Sequence, residues 1–119
     1  MTTIPSFDGV IRQHPQDEHI AWAMLPCACP QNHAANLLQL KDGSLMCVWF
    51  GGSQEGKADI SIWGSRLATD SDRWSEAVKL SDDPDRSEQN PVLFQAPDQV
   101  VWLLWTAQYA GNQDTAIVR

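Results

Sequence analysis

The apolar residues of this chain fall into short runs, not into a helical stripe. Leu45-Met-Cys-Val-Trp-Phe50 and Val100-Val-Trp-Leu-Leu-Trp105 are apolar at every position. Short runs of this kind, bounded by turn residues, predict strands covered on both faces. Asp59-Ile-Ser-Ile-Trp-Gly-Ser-Arg66 instead alternates, with Ile60 and Ile62 on one face and Ser61, Trp63 and Ser65 on the other. Trp74–Leu80 reads as a charged edge strand. Asn90–Gln95 and Asp114–Arg119 read as further strands. Ahead of Asn32, Ile20–Leu25 is the one segment able to pair. Asp42-Gly43 between two apolar runs is a strong hairpin signal. Thr69–Asp72 and Ala96–Asp98 are polar turns, and Gly51–Ala58, Ser81–Glu88 and Ala107–Gln113 read as loops. Turns come too often for any helical period to persist, so the predicted class is all-β.

The pattern restarts. Setting Asp42 on Asp98 also places Trp49 on Trp105, so a single offset aligns both hairpins. That offset is slightly longer than the ~40–50 residues of common propeller repeats. The expected organisation is an N-terminal segment over 1–31, a first four-stranded antiparallel meander over 32–81, and a second, incomplete one over 88–119. A closed propeller needs at least about four blades, so the expectation is a fragment, or a subunit that completes itself with copies through its open strand edges.

In such a meander the start of the first strand and the end of the second share one rim. His33, Glu55, Asp59, Asn90 and Tyr109 are therefore expected at one mouth, with the Lys41-Asp42-Gly43 turn at the opposite end. His33 has a usable acid/base pKa, and Glu55 with Asp59 offers the carboxylate pair that glycosidases place around a scissile bond. Asn90, Gln108 and Tyr109 are candidate substrate-binding residues at the loop tips. The competing readings are a rim histidine that bonds a loop carbonyl and an Asp59 that satisfies backbone N–H groups.

Composition narrows the partners. The net charge of −7 argues against nucleic acid and anionic membranes. No apolar run reaches the ~20 residues of a membrane-spanning helix. The stretch from Met1 to Ile20 lacks a secretory pattern, which makes the cytoplasm the expected location. Three cysteines without a signal argue against a disulfide framework. Cys27, Cys29 and His33 lack a fourth zinc ligand at a recognised spacing, so no metal and no cofactor is expected. Six tryptophans are many for 119 residues and supply core anchors, or stacking surfaces for sugars.

"NHAANLLQLKDGSLMCVWFGGSQEGKADISIWGSRL", followed by "RW" and "NPVLFQ", resembles the BNR/Asp-box sialidase-like proteins, specifically their neuraminidase-related bacterial branch. The match covers residues 32 to 106, and the combination FGG…EG…D…IW…SR carries it. The resemblance implies a six-bladed propeller of which this chain holds about two blades, acting on a carbohydrate at the channel mouth by hydrolysis or by binding. Where classical sialidases carry an arginine that clamps the sialic acid carboxylate, this chain has His33. The resemblance therefore implies a glycoside other than sialic acid. The Asp-box turn is reduced to Thr69-Asp-Ser-Asp-Arg-Trp74. A non-catalytic carbohydrate-binding or assembly module, and a truncated inactive product, are the alternative readings.

Overall fold

A computed structural model describes residues 6–27 and 29–119. Residues 1–5 and 28, part of the expected N-terminal segment, lie outside the described residues. The chain forms β1 (Arg12–His14), β2 (Asp17–Trp22), β3 (Gln31–Gln39), β4 (Leu45–Gly52), β5 (Ser61–Leu67), β6 (Val78–Lys79), β7 (Ser87–Gln95), β8 (Val101–Tyr109) and β9 (Asn112–Val118). No helix occurs among the described residues, and the all-β expectation is borne out. The strands make a β1-β2 hairpin, a four-stranded sheet in the order β3-β4-β5-β6, and a three-stranded sheet in the order β7-β8-β9. Every pairing is antiparallel, and among the described residues no sheet closes on itself.

The two larger sheets repeat one backbone pattern. The register pairs of β3 with β4 reappear in β7 with β8 at the same offset that carries Asp42 to Asp98. They run from Gln31–Gly52 and Ser87–Gln108 at one end to Gln39–Leu45 and Gln95–Val101 at the other. Each first strand carries a bulge, between His33 and Asn36 and between Gln89 and Val92. Each bulge contains a residue in the left-handed region, Ala34 at φ 52° and Asn90 at φ 54°. The hairpin turns also match: Asp42 accepts the Ser44 N–H, and Asp98 accepts the Val100 N–H. Gly43 at φ 87° corresponds to Gln99 at φ 73°.

The sheets stack through their alternating apolar positions. Val48, Phe50, Ile60 and Ile62 of the first sheet and its approach bury themselves against Leu93, with Leu38, Met46, Leu103 and Trp105 packed around them. The all-apolar β4 thus has a reason at each residue: its even positions face the second sheet. Its odd positions Leu45 and Cys47 face Ile11, Trp22 and Leu25 of the N-terminal segment. Polar bonds tie the stack. The Leu93 N–H donates to Asn36 Oδ1 at 2.9 Å, the Lys41 N–H donates to Gln95 Oε1 at 2.8 Å, and Lys41 Nζ donates to the Pro97 carbonyl at 3.0 Å.

Three local expectations are corrected. Strand pairing near the N-terminus covers Asp17–Trp22, not 20–25, because the Pro15-Gln16 turn folds Arg12–His14 back onto it. Only Val78–Lys79 of the 74–80 segment joins the sheet. Trp74 leaves it to bury its side chain, and its N–H donates to the Gly9 carbonyl at 2.9 Å. Residues 107–113 form no loop: β8 runs on to Tyr109, and β9 starts at Asn112 after a turn at Ala110-Gly111. The Tyr109 N–H reaches Thr115 Oγ1 at 2.8 Å across that turn.

Candidate functional site

The open ends of β3 and β4, and of β7 and β8, lie side by side where the sheets stack. A cleft of 440 Å³ opens there, lined by Gln31, Gln54, Glu55, Gly56, Gln89, Gln108, Gly111 and Gln113. Five of these carry primary amides, and none is cationic. Gln31 starts β3, and its Oε1 accepts the Glu55 N–H at 3.1 Å, which draws the β4–β5 loop over the rim. Gly56 takes φ 87° at the loop's crest. A Cβ there would come within 3.3 Å of the Gly111 backbone, so a glycine lets the loop meet the β8–β9 turn. Gln89 and Gln108 are buried, and each anchors its amide: Gln89 Nε2 donates to Ser87 Oγ at 2.9 Å and Gln108 Nε2 to the Ala110 carbonyl at 3.0 Å. A ligand in the cleft meets amides that both donate and accept, plus one carboxylate.

The residues singled out from the sequence divide. Glu55 and Gln108 line the cleft together. His33 lies on the same end of the first sheet, paired with Phe50, while Asp42 sits at the opposite end of the hairpin. The exposed imidazole stacks on the Phe50 ring, with centroids 5.3 Å apart and planes at 28°. Asp59 is exposed, and its Oδ2 accepts the Ser53 N–H at 3.3 Å, a bond that closes the 53–59 loop. Asn90 occupies the left-handed position of the β7 bulge. Tyr109 turns its ring onto the Arg86 guanidinium, 3.9 Å from the centroid. Arg86 in turn donates to the Ala107 and Thr115 carbonyls at 3.1 and 2.9 Å. His33, Asp59, Asn90 and Tyr109 do not line the cleft.

Sequence reasoning missed Gln31, Gln54, Gln89 and Gln113, because amides scattered from Gln31 to Gln113 gather only once the repeat register is imposed. It also placed Glu88 in a charged loop. Glu88 is instead buried in β7, with its Oε1 accepting the Asp83 N–H at 3.0 Å and its Oε2 accepting the Trp105 indole N–H at 2.6 Å. The signal was available, since the shift that sets Trp49 on Trp105 also sets Asn32 on Glu88. Asn32 Oδ1 accepts the Trp49 indole N–H at 3.0 Å. Burial pushes the thiols of Cys27, Cys29 and Cys47 above their ordinary range. Among the described residues no cluster of three or more His, Cys, Asp or Glu side chains could hold a metal ion.

An all-β chain of tandem sheets in one strict register, with a polar cleft at the shared rim, defines a repeat protein. Residues 43–119 match the BNR repeat-like domain, and the chain belongs to that family. The resemblance to BNR repeat proteins seen in the sequence is thereby borne out. No curated protein and no solved structure gives a match to the chain.

Proposed function

We propose that the chain contributes two successive blades of a sialidase-like β-propeller and binds a neutral carbohydrate in the glutamine-lined cleft between them. The observation that carries this reading is the cleft's donor set: Gln31, Gln54, Gln89, Gln108 and Gln113 around the single carboxylate of Glu55. A sugar hydroxyl both donates and accepts, and a primary amide answers in both senses. The lining offers no guanidinium or ammonium to clamp an anionic sugar, and His33, at the position of the family's clamping arginine, rests on Phe50 outside the cleft.

Binding is favoured over hydrolysis by these residues alone. Glycoside cleavage uses two carboxyl groups flanking the bond. Glu55 is the one carboxylate lining the cleft, while Asp59 is engaged by the Ser53 N–H. A glycan array followed by calorimetry tests the proposal. Neutral oligosaccharides are expected to bind, and Gln54→Ala or Gln113→Ala, both at exposed positions, to weaken binding about tenfold each, the equivalent of one hydrogen bond. Preference for sialosides over neutral glycans overturns it.

A further inference from the structure

Gln89 and Gln108 are the innermost residues of the glutamine-lined cleft, only 3% and 4% exposed. Ser87 pairs with Gln108 across the ladder, and Gln89 lies two residues beyond Ser87, so the two side chains leave the same face of the sheet. As diagonal neighbours they start about 7–8 Å apart, within reach of the hydroxyls of one sugar ring. Each commits its amide nitrogen inside the protein, Gln89 to Ser87 Oγ and Gln108 to the Ala110 carbonyl. The second bond fixes which way round the Gln108 amide sits, since a carbonyl only accepts. Neither Oε1 accepts a hydrogen bond from the described residues, and among those residues no buried side-chain oxygen lacks a partner. Both oxygens therefore reach the solvent of the cleft they line. At the rim the polarity reverses: Gln31 Oε1 is taken by the Glu55 N–H, which leaves the Gln31 amide nitrogen as the free group.

We propose that the floor of the cleft selects its ligand by hydroxyl protons: Gln89 Oε1 and Gln108 Oε1 each accept from a hydroxyl of one sugar residue, and free hydroxyls at those two positions are what the site requires. The inference rests on the carbohydrate reading above and adds the atoms that discriminate. A hydroxyl donates to a carbonyl oxygen, whereas an ether, an ester or a fluorine sets a second acceptor against the first. The nearly buried oxygen is then left unpaired, which is the costlier error. A ligand carboxylate on this floor would meet acceptors only, with the Glu55 carboxylate lining the same cleft. Rejection of anionic sugars thus has a cause in the floor itself, separate from the missing guanidinium.

Ligand-observed NMR titration of the full chain with the methyl glycosides of glucose, galactose and mannose finds the sugar that binds, and its monodeoxy and monodeoxyfluoro derivatives test each hydroxyl. Deoxygenation is expected to weaken binding about tenfold at each of two positions. Fluorine fills the place of the hydroxyl without a proton and is expected not to restore it. Gln89→Met and Gln108→Met, shown by circular dichroism to be folded, are each expected to bind the parent sugar about tenfold more weakly and to lose discrimination at one of the two positions. The wild-type series decides the matter by itself if either variant does not fold. Fluoro sugars that bind as well as the parent overturn the proposal, because the hydroxyls would then be accepting. Derivatives that all bind alike also overturn it and leave the carbohydrate reading standing. Failure of all three parent glycosides to bind removes the proposal together with the reading on which it rests.

Discussion

The indole of Trp105 donates to the buried carboxylate of Glu88 at 2.6 Å, and Arg119 approaches the same oxygen at 3.9 Å. The corresponding Trp49 donates to Asn32, a neutral amide on an exposed residue. The two bonds span the same sequence separation but differ in what their loss leaves behind.

Trp105→Phe removes a donor from a buried acceptor that water cannot reach, and is expected to cost about 1–3 kcal/mol of stability. Trp49→Phe leaves an amide that water can serve, and is expected to cost about 0.5–1.5 kcal/mol. Urea unfolding of the two variants checks the order, and an equal cost at both sites contradicts it.

Ala34 and Asn90 hold the same left-handed torsion in their bulges. A left-handed alanine is strained by about 1–2 kcal/mol, whereas asparagine tolerates the region. Ala34→Gly is expected to stabilise the chain by several tenths of a kcal/mol, since glycine's lost chain entropy offsets part of the relief. Asn90→Ala is expected to destabilise it. Thermal midpoints moving in opposite directions are the readout.

Gly52 admits no side chain. A Cβ there would lie 2.7 Å from the Asp59 carbonyl oxygen and 2.9 Å from Ile60 Cδ1. Gly52→Ala is expected to cost about 1–3 kcal/mol through overpacking and to displace the 53–59 loop that carries Glu55. Carbohydrate affinity measured on the folded variant is expected to fall with it.

Three carboxylates sit below their usual range for separate reasons. Asp8 is lowered by the Arg12 guanidinium at 2.9 Å. Asp42 is lowered by the Ser44 hydroxyl at 2.5 Å and then by the Ser44 N–H. Asp83 is lowered by the Asp85 N–H at 2.8 Å, with Arg119 at 2.6 Å. As pH drops below the ordinary Asp value of about 3.9, the unfolded chain takes up protons that the folded chain still refuses. Stability from these groups is therefore constant above that value and is lost as pH falls through the folded-state values. Urea midpoints against pH are expected to show this acid limb, and Asp42→Asn with Asp83→Asn to flatten it.

How far the sequence could be read depended on what kind of signal a residue carries. Periodicity is local, so the strands at 45–50 and 100–105, the Asp-Gly turn and the repeat that sets Trp49 on Trp105 were all visible in it. Ladder extent is less so. Ala107–Gln113 is polar enough to read as a loop, yet the Tyr109–Thr115 bond pulls it into a tight hairpin. Burial of a charge is least visible. Glu88 follows Asp-Arg-Ser in a charged stretch, and only its indole partner on the neighbouring strand explains its place in the interior. At the candidate site, Glu55 and Gln108 were legible as loop-tip chemistry. The other cleft glutamines were not, since no glutamine announces itself without the neighbours that stacking supplies.

The shared bulges and turns carry a consequence for how such a chain diversifies. Gln31, Asn32 and His33 at the rim of one sheet answer to Ser87, Glu88 and Gln89 at the rim of the next, and the ladder registers there are the same. Torsions have been retained while functional groups have been exchanged: an imidazole for an amide, an amide for a carboxylate, an amide for a hydroxyl. A periodic frame thereby presents an asymmetric mouth. New chemistry can be tried on one wall without redesigning the other, and a ligand that lacks any two-fold character has only one way round to sit.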